Sequence, residues 1–458
     1  MTNNNNKVMM SKKVEKIAAL AIFFLVFVAS SVAHAQDTLR LTLDDALKIA
    51  TSENLTVKIA DKEITRQDYA KKESYASLFP QIDYTANYQR AIKKQVVAFS
   101  GQSFKMGLNN TYTTGFALSM PLVSVPLWQS LGISAKNVEL AIEKARSSKI
   151  ELVDQVRQAF FGSILAADSY HVYKENYDNT IKNYNEVKQK YESGTAAKYD
   201  LIRAEVNVKN AEPSLYDAQN SVVLAKWKLK ALIGIDLSMP IVCDGTLMDY
   251  KSELERVSLY DSTSLEKNTE LKQLDIQEMI LKKSYKMQLA KYYPSLNLAL
   301  NYQWMAMDDT YKFSSYKWNP YSTGALSLII PIFSGGQRYY SLKQTRTQQQ
   351  QLNLQRENLR RNLEVSVKQT LSTMETAIKQ YDAANAGING AETGYEISRK
   401  RYEVGSGTLL EMNDAQLALL QARLNLNQSV YNYLITKSSL DKILGVIYTG
   451  EVGMNRNK

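Results

Sequence analysis

RYEVGSGTLLEMNDAQ, residues 401–416, is a glycine-broken turn between two very long helical patterns. A second copy, KYESGTAAKYDL at residues 190–201, lies about 211 residues upstream, and a period that long indicates a duplicated half rather than a solenoid of short repeats. Gly194 and Gly405 occupy matching places, where glycine adopts a positive φ at the least cost. The chain is therefore expected to consist of two halves, each containing one such turn.

The N-terminus predicts export from the cytoplasm. Lysines precede an apolar run from Ile17 to Ala29, and Ala33-His34-Ala35 then has the small-x-small pattern of a signal peptidase site. We expect residues 1–35 to be a signal peptide. The alternative is a retained membrane anchor, but the run has about 13 apolar residues where a spanning helix needs about 20. Removing the peptide lowers the formal net charge from +10 to about +7.

Composition argues against catalysis and against nucleic-acid binding. After residue 35 the chain has one histidine, His171, and one cysteine, Cys243, far apart in sequence. These residues offer little to a metal site or to an activated nucleophile, so we predict no enzyme activity and no cofactor. We expect Cys243 to be a small buried residue, because it has no partner for an internal disulfide. The mild positive excess is typical of solvated helix faces, not of a nucleic-acid patch.

Four segments alternate apolar and polar residues with the period of two that is typical of a strand. They are residues 81–90 and 111–121 in the first half, and residues 295–304 and 321–331 in the second. Each is about ten residues long, the length with which a tilted strand crosses a bilayer. A polar loop is expected between the first two strands. Since no apolar run after the signal approaches about 18 residues, a membrane part must consist of strands.

Helical patterns fill the rest of each half. Thr42–Phe79 is predicted as one helix that ends at Pro80, and Lys198–Leu232 as a returning helix that ends at Gly234. Between them, an unbroken pattern of about 66 residues predicts a helix of roughly 100 Å. A helix of the same length follows Gly336. The lower half of the first long helix has a stripe with the spacing of about 3.5 expected of a coiled coil: Tyr170, Tyr173, Tyr177, Ile181, Tyr184, Val187 and Tyr191.

The chain divides accordingly into five parts. They are a signal peptide (1–35), a first repeat (36–234), a connector with neither period (235–262), a second repeat (263–446) and a C-terminal tail (447–458). Each repeat is a duplicated unit of helix, strand, strand, long helix and returning helix. The fold class is therefore mostly α, with a portion of membrane β-barrel.

Four membrane-length strands cannot close a barrel within one chain, and an open sheet edge in lipid leaves backbone groups unpaired. The barrel must therefore be shared. Two chains would give eight strands, whose side chains fill the interior, whereas three give twelve strands and room for an aqueous bore. The two shorter helices of a repeat together match the length of its long helix. A trimer would then form a 12-stranded barrel continued by a 12-helix α-barrel tunnel, with the two turns at its far, closable end.

The chain resembles the TolC-type outer-membrane efflux channels over essentially all of residues 36–450. Three stretches carry the resemblance: the opening LTLDDAL at 41–47, the strand exit PIFSGG at 331–336, and the turn at 401–416. The resemblance implies a homotrimer in the lipid of the cell outer membrane, with a long periplasmic extension. It also implies an exit duct of a tripartite efflux or type I secretion system, working with a periplasmic adaptor protein and an inner-membrane pump. The substrate and the class of pump are not implied.

The resemblance also suggests residues for the periplasmic constriction. The family's acidic ring corresponds to Glu411 and Asp414, one helical turn apart; the alternative is that both decorate a solvated helix start near its positive dipole end. The family's closing contacts correspond to Asp200 and Tyr402. Gly407 stands where the family has the arginine of its salt-bridge latch, so closure needs other contacts, around Arg203 or Lys198. The adaptor-docking turns correspond to Gly194, Thr195, Gly405 and Ser406.

Two other classes of protein compete with the channel. A secreted coiled-coil structural or adhesion protein would account for the long helices, but not for four alternating segments placed between them. An outer-membrane barrel enzyme such as a lipase would need a base, and no histidine lies near a candidate serine in a predicted loop or strand.

Overall fold

The computed structural model describes residues 38–99, 101–254 and 265–446. The predicted signal peptide and C-terminal tail, and residues 255–262 of the predicted connector, lie outside these ranges. The helices are α1 (Leu43–Glu53), α2 (Leu55–Ala76), α3 (Val125–Glu192), α4 (Lys198–Ile233), α5 (Thr269–Ala290), α6 (Gln337–Glu403) and α7 (Leu409–Leu444). The strands are β1 (Leu39–Leu41), β2 (Gln81–Arg90), β3 (Gln95–Phe99), β4 (Gln102–Met106), β5 (Asn110–Val123), β6 (Ile241–Cys243), β7 (Ser295–Asp308) and β8 (Asn319–Ile329).

The main sheet has four antiparallel strands in the order β2-β5-β7-β8. Its register aligns the alternating patterns, so that apolar side chains of all four strands share one face. Tyr84 pairs with Phe116, which pairs with Tyr302, and Leu298 pairs with Leu326. Polar and small residues share the other face, as in the pair of Asn301 and Thr323. Because β2 and β8 are the outer strands of this sheet, each has one edge without a partner strand in the described chain.

The long helix α3 spans 68 residues, which corresponds to about 100 Å. It packs against α2 and α5 towards the sheet and against α4 and α7 towards the turns. The second long helix, α6, spans 67 residues and packs against α5 and α7 in the same way. In the described chain no helix contains a stretch that is both long and apolar enough to cross a bilayer.

Two asparagines join short helices end to end. The Asn54 side chain caps α2 by accepting from the Thr56 amide at 2.8 Å, while its Nδ2 donates to the carbonyl of Leu232 in the last turn of α4, also at 2.8 Å. Asn268 does the same in the second repeat. It accepts from the Glu270 and Leu271 amides and donates to the Ile443 carbonyl at the end of α7. Each repeat therefore has one continuous long helix and one helix pair joined by an asparagine.

The main core lies around the middle of α3. Phe160 and Tyr433 are fully buried there, together with Leu41 and Leu47 from the N-terminal segment and Leu247 from the connector. The connector reaches this core because β6 pairs in parallel with β1. Cys243, at the end of β6, is only partly buried, and its thiol donates to the Ser163 hydroxyl at 3.5 Å, so it is not the enclosed apolar residue we expected.

The structure corrects three local expectations. Thr42–Phe79 is two helices, because Asn54 has an extended backbone (ψ 130°) that ends α1 and begins α2. The segment between β2 and β5 is not a plain loop but contains the hairpin of β3 and β4. The connector is not irregular throughout, since it contains β6 and a 3-10 helix at Leu247–Glu253.

Candidate functional site: the paired helical turns

The two glycine turns have the same backbone geometry. In the first, the carbonyl of Lys190 accepts from the amides of Thr195 (2.7 Å) and Ala196 (3.1 Å). In the second, the carbonyl of Arg401 accepts from the amides of Ser406 (2.8 Å) and Gly407 (3.0 Å). Gly194 and Gly405 both have φ of 77°, the left-handed conformation that closes a helix C-terminus. The duplication seen in the sequence is therefore retained in three dimensions.

The Lys190 side chain connects the two turns. Its Nζ donates to the carbonyl oxygens of Tyr402 (2.8 Å) and Glu403 (3.3 Å) at the end of α6. It also lies 4.3 Å from the centroid of the Tyr402 ring. A cation at this place offsets the negative end of the α6 dipole and adds a second donor to the Tyr402 carbonyl, which also accepts from the Gly405 amide at 3.2 Å. Sequence reasoning did not find this contact, although the residue stands in the first turn motif.

Arg401 is the counterpart of Lys190, but its side chain stays within its own turn. It donates to the Ser406 carbonyl at 3.2 Å and lies 3.7 Å from the Glu411 carboxylate. Gly407 leaves room for this approach, because a Cβ atom there would lie 3.0 Å from Arg401 Cβ and 3.2 Å from Glu411 Oε2. Gly407 thus leaves space for the local ion pair of Arg401 and Glu411.

Tyr402 and Asp200 are the residues matched to the family's closing contacts. Tyr402 is 8% exposed and belongs to a small core between the turns that includes Val187, Leu409 and Met412. Burial, and then the negative charges of Asp200 and Glu186, raise the pKa of the Tyr402 phenol. The phenol therefore stays protonated at physiological pH.

The two candidate ring carboxylates have different surroundings. Glu411 completes a capping box with Thr408, whose amide donates to the Glu411 carboxylate at 3.2 Å. Its position at the start of α7 is thus used for capping. Asp414 is exposed and lines a cavity of about 380 Å³ between α3, α4 and α7, which Arg203 also lines. No ion pair joins Asp414 to Arg203 in the described chain.

A buried amide cluster, also missed by sequence reasoning, fixes α3 against α7 above the turns. Gln416 is 8% exposed, and its Nε2 donates to Thr180 Oγ1 and to Asn176 Oδ1, both at 2.9 Å. Its Oε1 accepts from Asn183 Nδ2 at 2.8 Å. Asn176, Thr180, Asn183 and Val187 follow four-three-four spacing, so the helical period was available in the sequence. In the half of α3 near the turns, the most buried side chains belong to this polar face and not to the predicted aromatic stripe, whose members other than Val187 are half-buried or exposed.

The four turn residues matched to adaptor docking are exposed. Gly194, Thr195, Gly405 and Ser406 all lie at the surface, and a Cβ atom at either glycine would meet no heavy atom within 4 Å. The described residues include no group of three or more His, Cys, Asp or Glu side chains arranged to hold a metal ion.

Comparison with known sequences and structures agrees with this architecture. The sequence matches the profile of the family described as outer membrane efflux protein over residues 46–235 and 262–446. The chain belongs to this family. The two matched ranges each contain one helix-strand-strand-helix-helix unit, so the family relationship covers both repeats.

Two proteins and one solved structure illustrate what the chain is similar to. The outer membrane protein TolC of Vibrio cholerae is 21% identical over 381 residues, covering 83% of this chain and 85% of that protein. The alkaline protease secretion protein AprF of Pseudomonas aeruginosa is 20% identical, covering 90% and 86%. Among solved structures, the Campylobacter jejuni CmeC outer membrane channel superposes with a TM-score of 0.71 at 19% identity, covering 88% of this chain and 85% of that chain. Their names describe an outer membrane protein, a secretion protein and an outer membrane channel.

Proposed function

We propose that this protein is the outer-membrane exit duct of a tripartite efflux or type I secretion system. In this role it conducts substrates passively from an inner-membrane pump and a periplasmic adaptor to the exterior. The observation that carries the proposal is the four-stranded sheet, whose apolar side chains share one face and whose strands are long enough to cross a bilayer. Family membership supports the same role.

A homotrimer is the form in which the sheet would satisfy its backbone. The free edges of β2 and β8 would pair between neighbouring protomers and close a 12-stranded barrel. The helices would continue the barrel as a 12-helix tunnel into the periplasm. The register supports this arrangement, because one face of the sheet is apolar and suits lipid, while the other is polar and suits a bore.

We place the closable end of the duct at the paired turns. Three copies of Asp414, with Glu411 on the same helix, would surround a narrow bore with carboxylates and favour cations. Lys190 and the Arg401–Glu411 pair take the place of the missing latch arginine in holding the turns of one protomer. The exposed turns at Gly194–Thr195 and Gly405–Ser406 would meet the adaptor.

The secreted coiled-coil alternative is not favoured. An adhesion protein needs no sheet with a continuous apolar face, and such a face left in water would be an aggregation site. Carbonate extraction separates the two functions. The duct is expected to stay in the outer-membrane fraction and to require detergent, and its mass in detergent is expected to be that of a trimer. Release by carbonate, or a monomer in detergent, would refute the proposal.

A further inference from the structure

The two repeats differ in charge where their helices approach the strands. In the second repeat, residues 279–294 and 331–356 contain eight basic residues and no Asp or Glu. The corresponding residues of the first repeat, 65–80 and 121–146, contain six basic and four acidic residues. At this level of the molecule the formal charge is therefore +8 in the second repeat and +2 in the first.

The two repeats also differ in how many of these cations form ion pairs. In the first repeat, Lys72 pairs with Asp68 and Lys136 with Glu139. In the second, the two cations of these segments farthest from the strands have carboxylate partners: Lys282 lies 2.7 Å from Glu278, and Arg356 lies 2.6 Å from Asp275. The cations nearer the strands have no ion pair in the described chain. We call this set the basic collar: Lys283, Lys286, Lys291, Arg338, Lys343 and Arg346.

Aromatic and aliphatic side chains border the basic collar on the side of the sheet. The Arg338 guanidinium lies 4.9 Å from the centroid of the Tyr292 ring, and Lys343 Nζ lies 5.5 Å from that of Tyr339. Ile332 and Phe333, in the loop after β8, are 91% and 87% exposed. Exposed apolar groups beside unpaired cations are typical of the boundary between a membrane's hydrocarbon and its headgroups.

The collar cations farthest from the sheet lie a few ångströms beyond the depth of a headgroup layer, within the reach of a long side chain. At 1.5 Å per residue, Lys283 lies about 10 Å along α5 from its end at Ala290, and Arg346 lies about 14 Å along α6 from its start at Gln337. The headgroup region adds about 5–8 Å on each side of the hydrocarbon. Long lysine and arginine side chains extend several ångströms towards that layer while their stems stay on the helix.

We propose that the basic collar binds the anionic headgroups of glycerophospholipids in the leaflet on the helix side of the barrel. The inference rests on the proposed function, since it requires the sheet to lie in a bilayer. A merely solvated helix face would not explain why acidic residues are missing from one repeat and present in the other. In a trimer, three basic collars would alternate with three nearly neutral sectors around the barrel.

Native mass spectrometry of the full-length protein, titrated with phosphatidylglycerol or phosphatidylcholine in neutral detergent, tests the inference. The collar variant is Lys283→Gln, Lys286→Gln, Lys343→Gln and Arg346→Gln. The control variant removes four cations at the same level of the first repeat: Arg66→Gln, Lys72→Gln, Lys136→Gln and Lys144→Gln. We expect the wild type to prefer phosphatidylglycerol at least about tenfold, the collar variant to lose this preference, and the control to keep it within about twofold.

High salt should weaken the wild-type preference, because headgroup attraction is screened within a Debye length. Equal binding of both lipids by the wild type, or equal loss in both variants, would overturn the inference. If the collar variant keeps the lipid preference but its channel shows a shifted reversal potential, these side chains lie in the bore. That result would also overturn the inference. If the collar variant does not fold, two other measurements test the inference. They are the salt dependence of the wild-type lipid preference and the lipid preference of the double variant Lys286→Gln, Lys343→Gln. A wild type that enters no bilayer of either lipid would instead refute the proposed function.

Discussion

At the scale of single residues, one duplicated position has acquired two different roles. The carbonyls of Lys190 and Arg401 hold their turns in the same way, yet the side chain of Lys190 crosses to the other turn and that of Arg401 does not. Duplication thus preserved the backbone motif, which depends on local residues, while the side chains diverged. The divergence makes Lys190 the residue that couples the two turns of a protomer.

Replacing Lys190 by methionine should loosen the end of α6. The variant keeps the aliphatic stem but removes a charged hydrogen bond to the Tyr402 carbonyl and the cation beside its ring, together about 1–2 kcal/mol. Hydrogen exchange at the amides of Gly405 and Ser406 should accelerate about tenfold. Lys188→Met, which removes an exposed cation two residues away, is the control. Equal acceleration in both variants would show that Lys190 does not couple the turns.

Neutralising the carboxylates of α7 should weaken block by divalent cations. Glu411→Gln keeps a capping oxygen for the Thr408 amide, so combining it with Asp414→Asn removes charge without removing the cap. In planar bilayers the half-blocking concentration should rise roughly tenfold, since six carboxylates of a trimer lose their charge. Glu192→Gln, at the exposed end of α3, should change little. Unchanged block in the double variant would remove Glu411 and Asp414 from the constriction.

At the scale of elements, the junction asparagines determine how short helices are joined. Asn54 and Asn268 each cap one helix with the side-chain oxygen and satisfy a carbonyl of another with the side-chain nitrogen. Both are nearly buried, at 9% and 4% exposed. A helix pair joined in this way can match a continuous long helix without a connecting peptide.

Asn268→Ala should therefore destabilise the protein by about 2 kcal/mol, about 1 for the lost cap and about 1 for the lost bond to the Ile443 carbonyl. Asn268→Asp keeps the capping oxygen but turns a carboxylate oxygen towards the Ile443 carbonyl, so it should cost at least as much as the lost bond. Thermal unfolding in detergent measures both, with Asn353→Ala on the exposed face of α6 as the control. Equal stability of the alanine variant and this control would contradict the junction role.

At the scale of the whole molecule, the proposal that several chains share one barrel rests on the free edges of the sheet. In the described chain, β2 pairs only with β5, and β8 pairs only with β7. A membrane-length edge is tolerated in lipid only when another strand covers it. In the proposed duct, strands of neighbouring copies would cover both edges of the sheet.

Engineered disulfides between the edges should link protomers. In a Cys243→Ser background, Thr85→Cys on β2 is combined in turn with Thr323→Cys, Ala325→Cys or Ser327→Cys on β8, all on the polar face. Oxidation should yield covalent dimers and trimers on denaturing gels for the pair that shares a register. The single-cysteine variants, which lack the second partner, should stay monomeric on the gel. Absence of cross-linking in every pair would contradict the shared barrel.

The sequence by itself determined the strands, the long helices, the two turns and the duplication. These features follow from interactions close along the chain: alternation of period two, helical period near 3.5, and proline or glycine where elements end. The register then confirmed that the apolar positions of the four segments share one face. The break between α1 and α2 at Asn54 was not predicted, because the helical spacing of apolar residues continues across this cap.

Only the tertiary structure decided how the parts meet. The bond from Lys190 to Tyr402 joins residues 212 positions apart, the one from Asn54 to Leu232 joins residues 178 apart, and the amide cluster joins Asn183 to Gln416 over 233. No local pattern specifies such pairs, because each depends on which helix faces are brought together by packing. The same is true of Glu411 and Asp414, which are one turn apart in sequence but contact different surroundings, one its own cap and the other a cavity between helices.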